Sequence, residues 1–151
     1  MRALILAIAL AACTEQASTV PPEESASQTD ATPSSTETSA LAQMPTWDAA
    51  RAQGVDFRAV GQEPGWIVDI YTQGRIVALL DYGETLIEFP RNTPTQPAEG
   101  VTRYETQTAN HSLSITVRRA PCADAMSGEP YPARVDLVVD GRTLSGCGRS
   151  A

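Results

Sequence analysis

The chain has 151 residues, enough for one domain, and a formal net charge of −7, from 18 acidic and 11 basic residues. Every basic residue is Arg, and the arginines form no run along the sequence. The sequence therefore has no electrostatic footprint for nucleic acid or an anionic lipid surface, whereas a basic partner remains open.

Residues 1–12 have a single charge at Arg2, followed by an unbroken apolar segment over residues 3–12. A helix that crosses a bilayer needs about 20 apolar residues, so this segment is too short to span and instead matches a secretory signal. It ends in "LAAC", which resembles the lipobox of bacterial lipoproteins. The resemblance implies cleavage before Cys13 and lipid on Cys13. The alternative is an ordinary signal peptide with an incidental cysteine.

Residues 13–45 are predicted to be the lipidated cysteine and a disordered acidic tether. After Cys13 the segment is rich in Ser, Thr, Pro, Ala and Glu and has no aromatic or basic residue, which is typical of disorder. A flexible coil of this length would average roughly 30 Å between its ends. We expect a lipid-anchored protein of the bacterial cell envelope that faces the periplasm. Thr14, which is not Asp, favours the outer membrane.

The predicted domain spans residues 46–151 and begins with one short helix in "TWDAARAQG". Thr46 is placed to cap the start of this helix and Gly54 to end it. Alternation of apolar and polar residues between turn signals then predicts strands.

The first predicted hairpin joins "WIVDIYT" to "RIVALLDY" through a two-residue turn at Gln73-Gly74. This register puts Trp66, Val68 and Ile70 on the same face as two residues of the second strand. Those two residues are Val77 and Leu79. A turn at Tyr82-Gly83 leads into "ETLIEF".

Later strands pair about Asn110 and about Asp140-Gly141. The first pair should turn Leu113, Ile115 and Val117 inward. The second is the strongest hairpin signal, and it sets Val139 against Arg142 and Arg134 against Cys147. The predicted fold class is all-β, a small antiparallel meander or barrel of about 7–8 strands with one short N-terminal helix. Sequential hairpins favour a barrel over a sandwich.

Cys122 and Cys147 are the cysteines that lipidation leaves, and they enclose 24 residues. An even pair in an exported protein predicts a disulfide. A zinc site is the alternative, but one His and two Cys fall short of the usual four ligands.

We expect no catalytic residue, no metal and no cofactor. The sole histidine, His111, falls at a predicted hairpin tip, where a solvated side chain is the usual outcome. Asp124 and Glu129 offer carboxylates for calcium, but the loop lacks the dense oxygen ligands of such a site. Asp69, Asp81 and Glu88 alternate with apolar residues, which predicts ordinary outward positions.

Two stretches remain, "FRAVGQEPGW" at 57–66 and "PCADAMSGEPYP" at 121–132. Pro64 forces extended geometry on the residue before it, and the second stretch has the composition of a turn. The structural interpretation is a corner with a core tryptophan and a disulfide-closed turn. The functional interpretation is a binding rim for a protein or small ligand. Its candidate residues are Glu63, Trp66, Asp124, Met126 and Ser127.

These stretches together resemble an uncharacterised family of small bacterial envelope lipoproteins. The pattern is F-x-A-x-G-x-E-P-x-W, then P-C-x-D-x-M-S, Y-P and a closing L-x-G-C. Here it begins at Phe57 and closes at Cys147, so it covers most of residues 57–148. The resemblance implies an envelope location but no particular activity.

The expected function is therefore a non-enzymatic binding module on a lipid anchor. A first alternative is a protein similar in architecture to the small barrel lipoproteins that inhibit lysozymes, whose basic surface an acidic domain would suit. A second alternative is an enzyme that acts on envelope material.

Overall fold

A computed structural model describes residues 44–151. The predicted signal peptide, the lipidation of Cys13 and all but the last two residues of the predicted tether lie outside the described residues. Within residues 44–151, no helix is long and apolar enough to cross a membrane. The elements are α1 (Trp47–Ala52), β1 (Val55–Gln62), β2 (Gly65–Tyr71), β3 (Arg75–Leu80), a 3-10 turn (Asp81–Gly83), β4 (Thr85–Pro90), β5 (Thr95–Ala98), β6 (Val101–Gln107), β7 (Ser112–Arg118), β8 (Cys122–Ala123), β9 (Pro130–Tyr131), β10 (Ala133–Val139) and β11 (Arg142–Ser150).

The predicted helix and the all-β class are both confirmed. Thr46 caps α1 by accepting a hydrogen bond from the Ala49 amide at 3.4 Å, and the helix ends before Gly54. Eight strands have six or more residues, and the other three are short pieces, β5 with four residues and β8 and β9 with two each. Prolines and glycines break the chain around these short pieces, which is why sequence patterning did not separate them.

Nine strands form one curled antiparallel sheet in the order β4-β3-β2-β1-β11-β10-β7-β6-β5, a half-barrel. Within this sheet, strands that follow one another in the chain pair, except β4 and β5, which are the two edges, and β1 also pairs with β11. Hydrogen bonds join the β4 edge to β6: the Thr106 hydroxyl donates to the Pro90 carbonyl at 2.6 Å, and the Asn92 amide donates to the Glu105 carbonyl at 2.9 Å.

One face of the sheet, here called the inner face, encloses the main apolar core. It contains alternate residues of every long strand, such as Val68 and Ile70 on β2, Ile115 on β7 and Leu137 on β10. The opposite, outer face is covered over β1 to β3 by α1, where Ala50 packs with Val55, Tyr71 and Val77. Burial on both faces explains why β2 and β3 are almost continuously apolar.

The predicted register of the β2–β3 hairpin is wrong by one residue. Ile70 pairs with Ile76 and Val68 with Ala78, so Val77 and Leu79 face outward. The loop has three residues rather than two, and Gly74 at its end has φ +70°. A three-residue loop needs a left-handed residue at that position, so glycine suits both loop lengths and does not discriminate between them.

The predicted register of the β10–β11 hairpin is confirmed, with Val139 opposite Arg142 and Arg134 opposite Cys147. Asp140 and Gly141 both have positive φ, at 49° and 81°. Two successive left-handed residues define a tight two-residue turn whose twist matches the strands. The β6–β7 pair also turns Leu113 and Ile115 into the core, with Val117 packed against it.

Asp69 corrects a sequence expectation, because it is buried at 0% exposure rather than solvated. Arg58 on β1 donates to both of its carboxylate oxygens, at 2.6 and 2.5 Å. The guanidinium also donates to the Pro45 carbonyl at 3.0 Å and lies 5.6 Å from the Trp47 ring centroid. This buried ion pair therefore joins the outer face of the sheet to the start of α1.

Candidate functional site

The 120–132 loop is a miniature hairpin held against the outer face. Its two short strands pair Cys122 with Tyr131 and Ala123 with Pro130. Cys122 and Cys147 form a disulfide-capable pair with Cα atoms 5.6 Å apart, inside the usual range. The loop therefore starts and returns beside β11, as the hairpin register predicts.

Asp124 organises the loop from within. Its Oδ1 accepts from the amides of Met126 and Ser127, at 3.1 and 2.8 Å, and from the Ser127 hydroxyl at 2.8 Å. Its Oδ2 accepts from the Gln62 side chain of β1 at 2.6 Å. These hydrogen bonds, led by the one from the Ser127 amide, lower the pKa of Asp124 to about 2. Asp124 is therefore a charged structural group at neutral pH, and both of its oxygens accept hydrogen bonds from the protein.

Glu63 lies in the exposed corner between β1 and β2. Its Oε2 accepts from the Tyr82 hydroxyl at 3.2 Å, and this hydrogen bond raises the pKa of Tyr82. The Tyr82 ring packs against Gly65, where a Cβ would approach the ring to 2.8 Å. Tyr82 was not predicted as part of the site, and it is 65% exposed.

Trp66 is a core residue, as the structural interpretation of its motif predicted. It is 3% exposed and belongs to the inner-face core. Its ring lies over Gly61 of β1 and Gly146 of β11, and a Cβ at either glycine would overlap it. The glycines of F-x-A-x-G and L-x-G-C thus leave the space that the motif's tryptophan fills.

The outer-face cleft lies between this corner and the 120–132 loop. Its floor is a row of outward apolar side chains on three neighbouring strands, Val60, Ile67 and Leu79, and its rim includes Tyr82 and Met126. The volume is about 420 Å³. Asp124 and Ser127 also line the cleft. Four of the five predicted rim residues therefore line the cleft, with Trp66 beneath the other three, and Glu63 lies beside the lining residue Tyr82.

Exposed apolar side chains gather around this cleft. Among residues 44–151, the large hydrophobic side chains that are exposed are Met126 at 76%, Tyr82 at 65% and Leu86 at 37%. The first two line the cleft, and Leu86 on β4 pairs with Leu79 of the floor. Exposed apolar residues that converge on one place mark interaction sites, whereas scattered ones do not.

A stack of aromatic and cationic groups borders the loop on the side of α1. The Arg149 guanidinium lies 4.9 Å from the Tyr131 ring centroid and 5.4 Å from that of Trp47, and it donates to Glu129 at 2.9 Å. Burial, and then the charge of Glu129, raise the pKa of Tyr131. The stack fixes the return strand of the loop on the domain. Sequence gave no sign of it, because its members lie far apart in the chain.

His111 is half-exposed at its hairpin tip and is paired rather than free. Its Nδ1 lies 2.8 Å from Asp140 Oδ2, and Asp140 Oδ1 accepts from the Ser112 amide at 2.7 Å. The hydrogen bond from Ser112 and the one from His111 lower the pKa of Asp140. The Ser112 hydroxyl bonds to Asp140 at 3.4 Å and not to the imidazole, so this cluster lacks the order of a nucleophile–base–acid triad. Its observed contacts tie two hairpin tips together.

The carboxylates weighed for calcium have other partners. Asp124 accepts from its own loop and from Gln62, and Glu129 is shared between Arg149 and the Tyr131 hydroxyl. No group of three or more potential metal-ligating side chains occurs in residues 44–151. These two residues therefore stabilise a turn through hydrogen bonds and an ion pair.

A second cavity, of about 410 Å³, opens at the other end of the half-barrel. Phe57 and Tyr104 contribute to its wall, and Glu99 and Arg119 lie at its margin. None of the exposed large hydrophobic side chains named above borders it. The outer-face cleft is therefore the stronger candidate for recognition.

Comparison with known proteins returned no relative of this chain. No family model matches it, and neither does any curated protein or solved structure.

Proposed function

We propose that this chain is a non-enzymatic binding module that recognises a partner through the outer-face cleft. The observation that carries the proposal is the convergence of the exposed side chains of Tyr82 and Met126 on one apolar floor, with exposed Leu86 paired beside Leu79. Leaving Met126 exposed in water is unfavourable by roughly 25 cal/mol per Å² of apolar surface, so a partner that covers it gains that free energy.

A non-enzymatic role is supported by how the nearby titratable groups are used. Asp124 accepts hydrogen bonds from its loop at Oδ1 and from Gln62 at Oδ2, and Glu63 accepts from Tyr82. A general base must reach the proton it removes, and each of these carboxylates is already engaged by the protein itself.

The proposal also places the module on the membrane of the bacterial envelope through lipid on Cys13. The support is the sequence "LAAC" after a short apolar run. Replacement of this cysteine, Cys13→Ser, should release the protein from the membrane fraction. Partitioning of the Ser variant into the detergent phase as completely as the wild type would refute the anchor. In the exported protein we further propose that Cys122 and Cys147 are oxidised to a disulfide.

The binding role is tested by capture from an envelope extract with the full chain as bait. The wild type should retain one or more proteins that Met126→Ser loses. Met126→Leu is the matched control, because it keeps an apolar side chain of similar volume on the rim and should retain the same proteins. Capture by the Ser variant that equals wild-type capture would exclude the cleft as the binding site.

An inhibitor of lysozyme is the second candidate, favoured by the half-barrel fold and the chain charge of −7. Lysozymes are basic, so charge complementarity would speed their association with an acidic domain. A cell-wall lysis assay with micromolar purified chain decides the matter. Inhibition that Met126→Ser removes would support this candidate, and unchanged lysis would reject it.

A further inference from the structure

The outer-face cleft is acidic as well as apolar. Asp124 and Glu129 are among its lining residues, and none of the described lining residues is basic. Glu63 adjoins the rim through its hydrogen bond with Tyr82, and Glu84 follows the lining residue Gly83 in the chain. The cleft therefore offers an apolar floor with carboxylates around it.

These carboxylates differ in how far their charge is balanced. Glu129 is paired with Arg149 at 2.9 Å. The hydrogen-bond partners of Asp124 are all neutral, and the same holds for Glu63, whose described partner is a tyrosine. Glu84 is exposed and has no ion-pair partner among residues 44–151. Asp124 in the lining and Glu63 at the rim thus carry negative charge without a described cationic partner, and Glu84 adds a third charge next to the lining residue Gly83. Together they favour a cation at the cleft.

The apolar side chains of the floor form a row across the strands, in which Leu79 is 1% exposed. Val60 pairs with Ile67, Ile67 with Leu79, and Leu79 with Leu86, so the row crosses four adjacent strands. Strands lie about 4.8 Å apart, so the row is about 14 Å long, which an extended peptide of roughly four to five residues would cover.

We propose, building on the binding role above, that the occupant is an extended basic segment of a partner protein. Its apolar side chains would lie on the row from Val60 to Leu86, between Tyr82 and Met126. Its arginine or lysine side chains would face Glu63 and Glu84. Apolar contact supplies most of the affinity, and the carboxylates select the sign of charge.

Other occupants fit the charge less well. The chain's own segment 14–43 carries five carboxylates and no basic residue, so it is repelled. A second copy that docked by two-fold symmetry would bring two acidic rims together, which is unfavourable. An anionic lipid surface is repelled for the same reason.

The test uses the full chain in detergent and three capped pentapeptides: Arg-Leu-Arg-Leu-Arg, Gln-Leu-Gln-Leu-Gln and Glu-Leu-Glu-Leu-Glu. Binding is followed by NMR titration of backbone amides. The Arg peptide should shift the amides of Val60, Ile67 and Leu79. It should bind at least about tenfold more tightly than the Glu peptide, and more weakly as salt is raised.

The variants separate the two forces. Met126→Ser should weaken binding of the Arg peptide about tenfold, and Glu63→Gln with Glu84→Gln about three- to tenfold, since an exposed pair contributes little. Glu99→Gln is the matched control, an exposed carboxylate at the other cavity, and should change nothing.

Each further outcome decides something. Binding of all three peptides alike, still weakened by Met126→Ser, would overturn the charge preference and leave the binding role standing. If neither set of variants changes the affinity for the Arg peptide, the peptide binds elsewhere and the inference is overturned. Self-association or binding to phosphatidylcholine vesicles that Met126→Ser removes, with no peptide bound, would also overturn it in favour of a second copy or lipid. If Met126→Ser also leaves extract capture unchanged, the binding role fails too.

Discussion

Substitution of Asp124 should show that one carboxylate holds the 120–132 loop. Asp124→Ala removes the hydrogen bonds from the Met126 and Ser127 amides, the Ser127 hydroxyl and Gln62. Asp124→Asn preserves the shape and an acceptor oxygen but removes the charge. Comparison of the two variants therefore separates the contribution of the charge from that of the hydrogen bonds.

The pKa sets the scale of the charge contribution. A carboxyl whose pKa falls from 3.8 to about 2 on folding contributes at most about 2.4 kcal/mol. Solvent near the loop screens part of this, so we expect Asp124→Asn to lower the free energy of unfolding by about 1–2 kcal/mol. Asp124→Ala should cost about 2–4 kcal/mol, because it also leaves two loop amides without their acceptor.

The same carboxylate predicts a pH dependence. The folded-state pKa of Asp124 lies below the unfolded value of 3.8, so its contribution is complete above that pH and is lost as pH falls toward about 2. Urea unfolding followed by tryptophan fluorescence at pH 7, 4 and 2.5 measures this. The wild type should lose its advantage over Asp124→Asn across that range. A difference between the two that stays constant from pH 7 to 2.5 would refute the reasoning.

The remaining predictions concern stability as well. Asp69→Asn should lower the free energy of unfolding by about 3–5 kcal/mol because it leaves a buried arginine without its counter-ion. Glu88→Gln breaks an exposed ion pair and should cost less than about 1 kcal/mol. Similar losses for the two variants in urea titrations would contradict this. Cys122→Ala and Cys147→Ala should each lower the free energy of unfolding by about 3–4 kcal/mol, the cost expected for cysteines 25 positions apart. Either variant should make the stability insensitive to reductant. Free thiols at both sites in mass spectra of the non-reduced protein would rule out the bond. Gly146→Ala should cost about 1–3 kcal/mol, seen as a lower Tm, because its methyl group would overlap the Val60 backbone carbonyl and also the Trp66 ring. An unchanged Tm would contradict this close packing of β11 on β1.

Local turn chemistry decides how much of the fold is readable from sequence. Asp140 and Gly141 both adopt the left-handed conformation, and few turns other than a two-residue hairpin use that combination. The position of this turn therefore predicted the whole β10–β11 register. Gly74 is equally suited to two loop lengths, and a one-residue error there reverses which side chains of β3 face the core.

Contacts between residues that lie far apart in the chain could not be predicted from the sequence pattern. Alternation along β2 assigned Asp69 to the solvent side, and it does face outward, but α1 and Arg58 cover it there. No residue near Asp69 in the sequence predicts that its side chain is buried. The cleft was missed in part for the same reason, because Tyr82 and Leu86 join it only through the pairing of β3 with β4. A usable signal did exist: Val60, Ile67, Leu79 and Leu86 are apolar at positions opposite to the core.

The pairing of β1 with β11 also bears on the order in which the domain is made. Phe57 pairs with Ser150 and Val60 with Cys147, so β1 gains its second neighbour only when β11, the last described strand, has been synthesised. Until then β1 has one hydrogen-bonded neighbour, β2, and Gly146 and Gly148, which lie against Trp66 and Phe57, belong to a strand that is still missing. Closing so long a loop is entropically slow. The two halves of the sheet can therefore join through β1 and β11 only after β11 has been synthesised.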